Sequence, residues 1–138
     1  MRSFDRDLRE MVEANPDSLT DPVWEDDGVT VKLASGHRLQ IWKSVDGVFF
    51  DMVVASAKEL GKEHHMTPKK VYERFGFFTS SSFAIRGNDE IFYASAISAE
   101  KYSARRLESV TNRFIVHAED FAGTLEEWRR RVSGGDAE

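Results

Sequence analysis

Cysteine is absent from the 138 residues. That excludes disulfides, thiolate nucleophiles and cysteine-held zinc, and it fits a reducing compartment. Long apolar runs are also missing. No stretch nears the ~18 residues needed to span a bilayer. The N-terminal MRSFDRDLRE lacks the apolar segment of a secretory signal. A cytoplasmic protein with no membrane partner is the expectation. Basic charge is in deficit, with 19 Lys and Arg against 24 Asp and Glu and a net charge of −5. The broad cationic footprint of a nucleic-acid binder is therefore not expected. Specific catalytic signatures are missing too. There is no H-E-x-x-H and no glycine-rich phosphate loop, and Ser80-Ser81-Ser82 falls in neither G-x-S-x-G nor S-x-x-K. The chain reads as a non-enzyme with no catalytic residues, no cofactor and no metal.

What is present supports one core. Apolar residues make up 41% of the chain and aromatics 12%, and the length suits one domain. We assign that domain to 1–133, with a frayed polar tail over 134–138. Phe4, Leu8, Met11 and Val12 recur at helical spacing, which predicts a helix over 4–14. Ser3 would cap it, and Asn15-Pro16 would end it. The stretch PDSLTDPVWEDDG, holding two of the three prolines, reads as a polar connection whose Val23 and Trp24 pack back on the body.

The period then falls to 2. Val29, Val31 and Leu33 form one strand, and Ser35-Gly36 a turn. Leu39, Ile41, Lys43 and Val45 form a second strand, and Asp46-Gly47 a two-residue hairpin turn. VFFDMVVAS, 48–56, is apolar on both faces, with Val48, Phe50, Met52 and Val54 on one side and Phe49, Asp51, Val53 and Ala55 on the other. Thr67-Pro68 starts a middle helix carrying Val71, Tyr72 and Phe75. Phe83 and Ile85, a turn at Gly87-Asn88-Asp89, and Ile91 to Ile97 make a second hairpin. Ser98 or Ser103 then caps a long C-terminal helix. Along it Leu107, Phe114, Phe121 and Trp128 stand seven apart, with Val110, Ala118, Leu125 and Val132 between them. That is one apolar seam. The fold class is α+β: helix, three-stranded antiparallel meander, helix, β-hairpin, and a long C-terminal helix packed on one face of a five-stranded antiparallel sheet.

Several polar groups are candidates for chemistry. His117 lies near the seam with Asp120 one turn later, the arrangement of a general base and its orienting carboxylate. The plainer reading is a hydrogen-bonded boundary histidine. His64-His65 with Glu63 has no spaced third ligand, and a solvated loop accounts for it. Arg129-Arg130-Arg131 suits a solvated helix end. The second face of the sheet is more informative. Trp42, Phe49, Val53, Phe92 and Ala94 point away from the set that the helices cover, and they are the candidate protein-interface residues, most simply of a homodimer.

The order of elements resembles type III secretion chaperones and the related YbjN family of bacterial proteins. The stretches that carry the likeness are VTVKLASGHRLQIWKSVDGVFFDMVVAS, TPKKVYERF, SFAIRGNDEIFYASAIS and RRLESVTNRFIVHAEDFAGTLEEW. The resemblance implies a small cytosolic, chaperone-like protein. Such a protein is usually dimeric and non-enzymatic, and holds a protein client on grooves and sheet surface. Two other readings remain open on the residues alone. One is a small-molecule-binding domain or enzyme with a pocket between sheet and C-terminal helix, using His117, Asp120 and Tyr93 or Tyr102. The other is a nucleic-acid contact through Arg105, Arg106, Arg113 and Arg129–Arg131.

Overall fold

The computed structural model describes residues 3–56, 83–85 and 90–136. The expected middle helix, the Gly87-Asn88-Asp89 turn, His64-His65 and Ser80–Ser82 lie outside the described residues. The chain divides into two compact units. The first is Met1–Met52 with Ala94–Val116, and the second is Val53–Tyr93 with His117–Glu138.

Helix α1 is Phe4–Ala14, the range that the apolar spacing predicts. Phe4, Leu8, Met11 and Val12 are its buried stripe. Ser3 does not cap it. The residue is itself helical, φ −86 and ψ −4, and its side chain makes no cap bond; instead its carbonyl accepts from the Asp7 amide at 2.8 Å. Asp5 and Asp7 complement the dipole in the first turn. At the other end the Asn15 amide donates to the Met11 carbonyl at 2.8 Å, so this side chain seals the helix just before Pro16.

The strands are β1 (Thr20–Trp24), β2 (Gly28–Lys32), β3 (Arg38–Ser44), β4 (Gly47–Ser56), β5 (Phe83–Ile85) and β6 (Glu90–Ser98), in the spatial order β1-β2-β3-β4-β6-β5. All five expected strands are there, and the polar connection contributes a sixth, β1. Its register against β2 shifts between Thr20 and Val23. Asp21, at φ 47, and Pro22 sit in that bulge. Proline is tolerated because β1 is an edge, where no second neighbour needs its missing N–H. Thr20 Oγ1 donates to the Lys32 carbonyl at 2.9 Å and pins the start of the strand.

The turn between β3 and β4 is one residue earlier than expected. Ser44 pairs with Gly47, so Val45 and Asp46 are the central residues, and neither has positive φ. Val45 is 94% exposed and is not part of the strand's apolar row. This register aligns Ile41 with Phe50 and Leu39 with Met52, four fully buried side chains on one face. Gly47 then stands at φ +150, and a Cβ there would run into the Ile97 carbonyl. That position needs glycine.

In the first unit the buried face of the sheet is Val29, Val31, Leu33, Leu39, Ile41, Val48, Phe50, Met52 and Ile97. Helix α2 (Ala104–Asp136) begins where Ser103 caps it, its hydroxyl accepting from the Arg106 amide at 3.0 Å. The sequence leaves Ser98 and Ser103 open; the structure selects Ser103, and Ser98 instead precedes a short 3-10 turn, Ala99–Lys101. Leu107 and Phe114 of α2 are buried, with the Phe114 ring 5.9 Å from that of Phe50. Burying a side chain of this size is worth about 2–3 kcal/mol. Thr111 lies in the same stripe, and its hydroxyl satisfies itself on the Leu107 carbonyl at 2.6 Å. Helix α2 is continuous through Gly123.

In the second unit, β5 pairs with the start of β6 through Phe83–Tyr93, Ala84–Phe92 and Ile85–Ile91. Val54, Ile91, Tyr93 and Ala118 are buried there.

Candidate protein interface

The period of 2 along β3 and β4 dictates two opposite surfaces. Ile41 and Phe50, directly paired, go fully into the core. Their neighbours Trp42 and Phe49, also directly paired, go to the other surface. There the two rings stack, centroids 5.7 Å apart and planes 25° apart. Both are half-buried. An aromatic cross-strand pair of this kind adds about 0.5–1 kcal/mol to the sheet while leaving ring surface in water. On β6, Ala94 is half-buried and Ala96 exposed.

A row of register partners borders the pair across β1 to β4: Val23 at the rim, then the polar Thr30, Gln40 and Asp51. Asp51 is buried. Val23 is half-exposed at the rim. Trp24 turns to the body, as expected of it: the Arg9 guanidinium of α1 lies 4.3 Å from its ring centre, and its register partner Val29 is a core residue. Gly28, opposite Trp42, is another close approach, since a Cβ there would meet the Ile41 carbonyl.

In the second unit, Val53 and Phe92 are half-buried. The five sequence-chosen residues are thus all partly open side chains, three of them in the first unit and two in the second.

Of the polar groups that could serve chemistry, His117 and Tyr93 are within reach of each other. His117 is exposed, and its Nδ1 is 3.5 Å from the Tyr93 hydroxyl, the outer limit of a hydrogen bond. Tyr102 is committed elsewhere. In the first unit its hydroxyl donates to Asp7 Oδ2 at 2.8 Å, and its ring meets Phe4 edge-on at 6.0 Å. Burial, reinforced by the Asp7 carboxylate that accepts its proton, raises the Tyr102 phenol well above the ordinary tyrosine value. This is a structural clamp between the 3-10 turn and α1. Sequence reasoning missed it because the partners are 95 residues apart. Among the described residues no three His, Cys, Asp or Glu side chains cluster to hold a metal ion, and no helix is long and apolar enough to cross a membrane.

No protein-family model matches the sequence, and no curated protein matches it. The crystal structure of the Yersinia pestis type III secretion chaperone SycH in complex with a stable fragment of YscM2 does match in three dimensions. The alignment covers 83% of this chain and 96% of that chain, with a TM-score of 0.51 and 13% sequence identity. At that identity the likeness speaks for the fold and not for the YbjN branch. The chain has the α+β architecture found in that secretion-chaperone complex.

Proposed function

We propose that this chain is a non-enzymatic, chaperone-like protein-binding domain that homodimerises and holds a protein partner on its open sheet surface. Trp42, Phe49 and Ala94 of the first unit and Val53 and Phe92 of the second supply the contact. The observation that carries this reading is the stacked Trp42–Phe49 pair, half-buried on the surface opposite the core. Large, rigid aromatics with little rotamer freedom to lose are the side chains that anchor protein interfaces. The fold likeness to SycH, crystallised with a fragment of a protein partner, supports the same reading.

Mass measurement by light scattering at micromolar concentration tests it, on the wild type and on Phe49→Asp. The expected result is a dimer that Phe49→Asp converts to a folded monomer. A wild type that stays monomeric at every concentration, with a surface that binds no apolar dye, refutes it.

A further inference from the structure

The first unit carries an open groove beyond the aromatic surface. A cavity of about 500 Å³ is bordered by Asp46, Phe49, Ile97, Lys101, Arg106 and Val110. A second, of about 300 Å³, adjoins it, sharing Arg106 and Val110 and adding Arg105, Ser109 and Arg113. On α2 the positions 106, 110 and 113 fall on one helical face, so the cations extend over two turns, about 10 Å. Leu107, Thr111 and Phe114 occupy the buried face.

Lys101, Arg105, Arg106 and Arg113 are all exposed, and none forms an ion pair or side-chain hydrogen bond among the described residues. Three other cations of this unit are engaged, Lys43 with Asp5 at 2.9 Å, Arg9 with Trp24, and Arg6 with Asp7, while Lys32 and Arg38 face water as register partners at the end of β2 and β3. Four cations thus gather at one groove in a chain of net charge −5. Arg105 and Arg106, in the first turn of α2, also oppose local preference, because cations there face the positive end of the helix dipole. Phe49 and Val110 bring apolar surface to the same groove.

We infer that this groove takes an acidic segment of a protein partner, its carboxylates against Lys101, Arg105, Arg106 and Arg113 and its interspersed apolar side chains on Val110 and Phe49. The inference rests on the protein-binding reading above and names the partner's chemistry. A nucleic acid fits less well. A phosphate backbone runs well beyond four cations and would meet the rest of a chain of net charge −5, whereas a short acidic segment can end where the cations do.

The test is fluorescence anisotropy with three labelled probes: a peptide alternating Glu with Val and Thr, its Lys-for-Glu counterpart, and a single-stranded oligonucleotide. The proteins are wild type, Arg105→Glu/Arg106→Glu and Trp42→Asp. The wild type should bind the acidic peptide and lose affinity as salt rises. The double reversal should weaken that binding about tenfold or more and favour the lysine peptide instead, while circular dichroism shows an unchanged fold. Equal binding of the acidic peptide by wild type and double reversal overturns the inference, as does preference for the oligonucleotide. Trp42 does not border the groove. If Trp42→Asp leaves mass and peptide binding unchanged while the reversal abolishes binding, the groove stands and the sheet-surface reading falls. If only Trp42→Asp weakens binding, the sheet-surface reading stands and the groove inference falls.

Discussion

Removing one hydroxyl tests the account of how the first unit is clamped. In Tyr102→Phe the ring keeps its edge-on contact with Phe4, but the donor to Asp7 is lost. Asp7 is only 9% exposed, and its remaining charged neighbour is the Arg6 guanidinium at 3.8 Å, outside hydrogen-bond range. A carboxylate left short of a donor in that position costs about 1–2 kcal/mol, the lower part of the range for bonds to charged groups because Tyr102 is only half-buried. For a chain of this size that lowers Tm by about 3–6 °C. The pH dependence gives a sharper signature. The phenol of Tyr102 is raised in the folded protein, so below pH ~10 it is neutral in both folded and unfolded chains, and its contribution is complete. Above that value the unfolded chain ionises while the folded one resists. The unfolded state then binds fewer protons, and stability falls as pH rises towards the folded value. Urea titrations of wild type and Tyr102→Phe from neutral pH to pH ~11 should therefore converge, with the gap narrowing only in the alkaline limb. Midpoints that coincide at neutral pH, or a gap that stays constant through the alkaline range, would refute the clamp.

Three further substitutions probe other parts of the structure. Gly47→Ala forces a side chain into backbone at φ +150 and against the Ile97 carbonyl; urea unfolding should show a loss of about 2–3 kcal/mol. Phe50→Ala empties a fully buried site beside Phe114 and should cost about 3–5 kcal/mol by the same assay. Lys43→Met removes the ammonium that pairs with Asp5 at the surface and lies 5.9 Å from the Phe4 ring centre; its stability should fall by about 1 kcal/mol or less, and by less still at high salt.

Much of this fold was legible because hydrophobic period reports burial directly. Phe4 to Val12 at steps of three and four, and Leu39, Ile41, Phe50 and Met52 at steps of two, announce which face enters the core. The same alternation picked out Trp42 and Phe49 before their stacking was known. Local chemistry was less dependable. Ser3 has a capping residue's identity but not its geometry. Asp46-Gly47 carries the strongest turn signature in the chain, yet the turn is Val45-Asp46, and Gly47 is needed instead for its close approach to the Ile97 carbonyl. The strand β1 was hidden by Pro22, which argues against any strand needing both neighbours, and by a bulge that breaks the alternation. Long-range polar pairs, such as Tyr102 with Asp7, and the convergence of Lys101 and Arg106 on one groove carry no local period. Only the folded chain reveals them.

The rim formed by β1 has a consequence for how this molecule keeps company. Pro22 offers no N–H to a passing strand, and the kink at Asp21 denies it a flat ladder to copy. Chains that collide along that border find nothing to zip onto. Growth into fibrils is blocked on that flank, and neighbours approaching from that side must be recognised by their side chains.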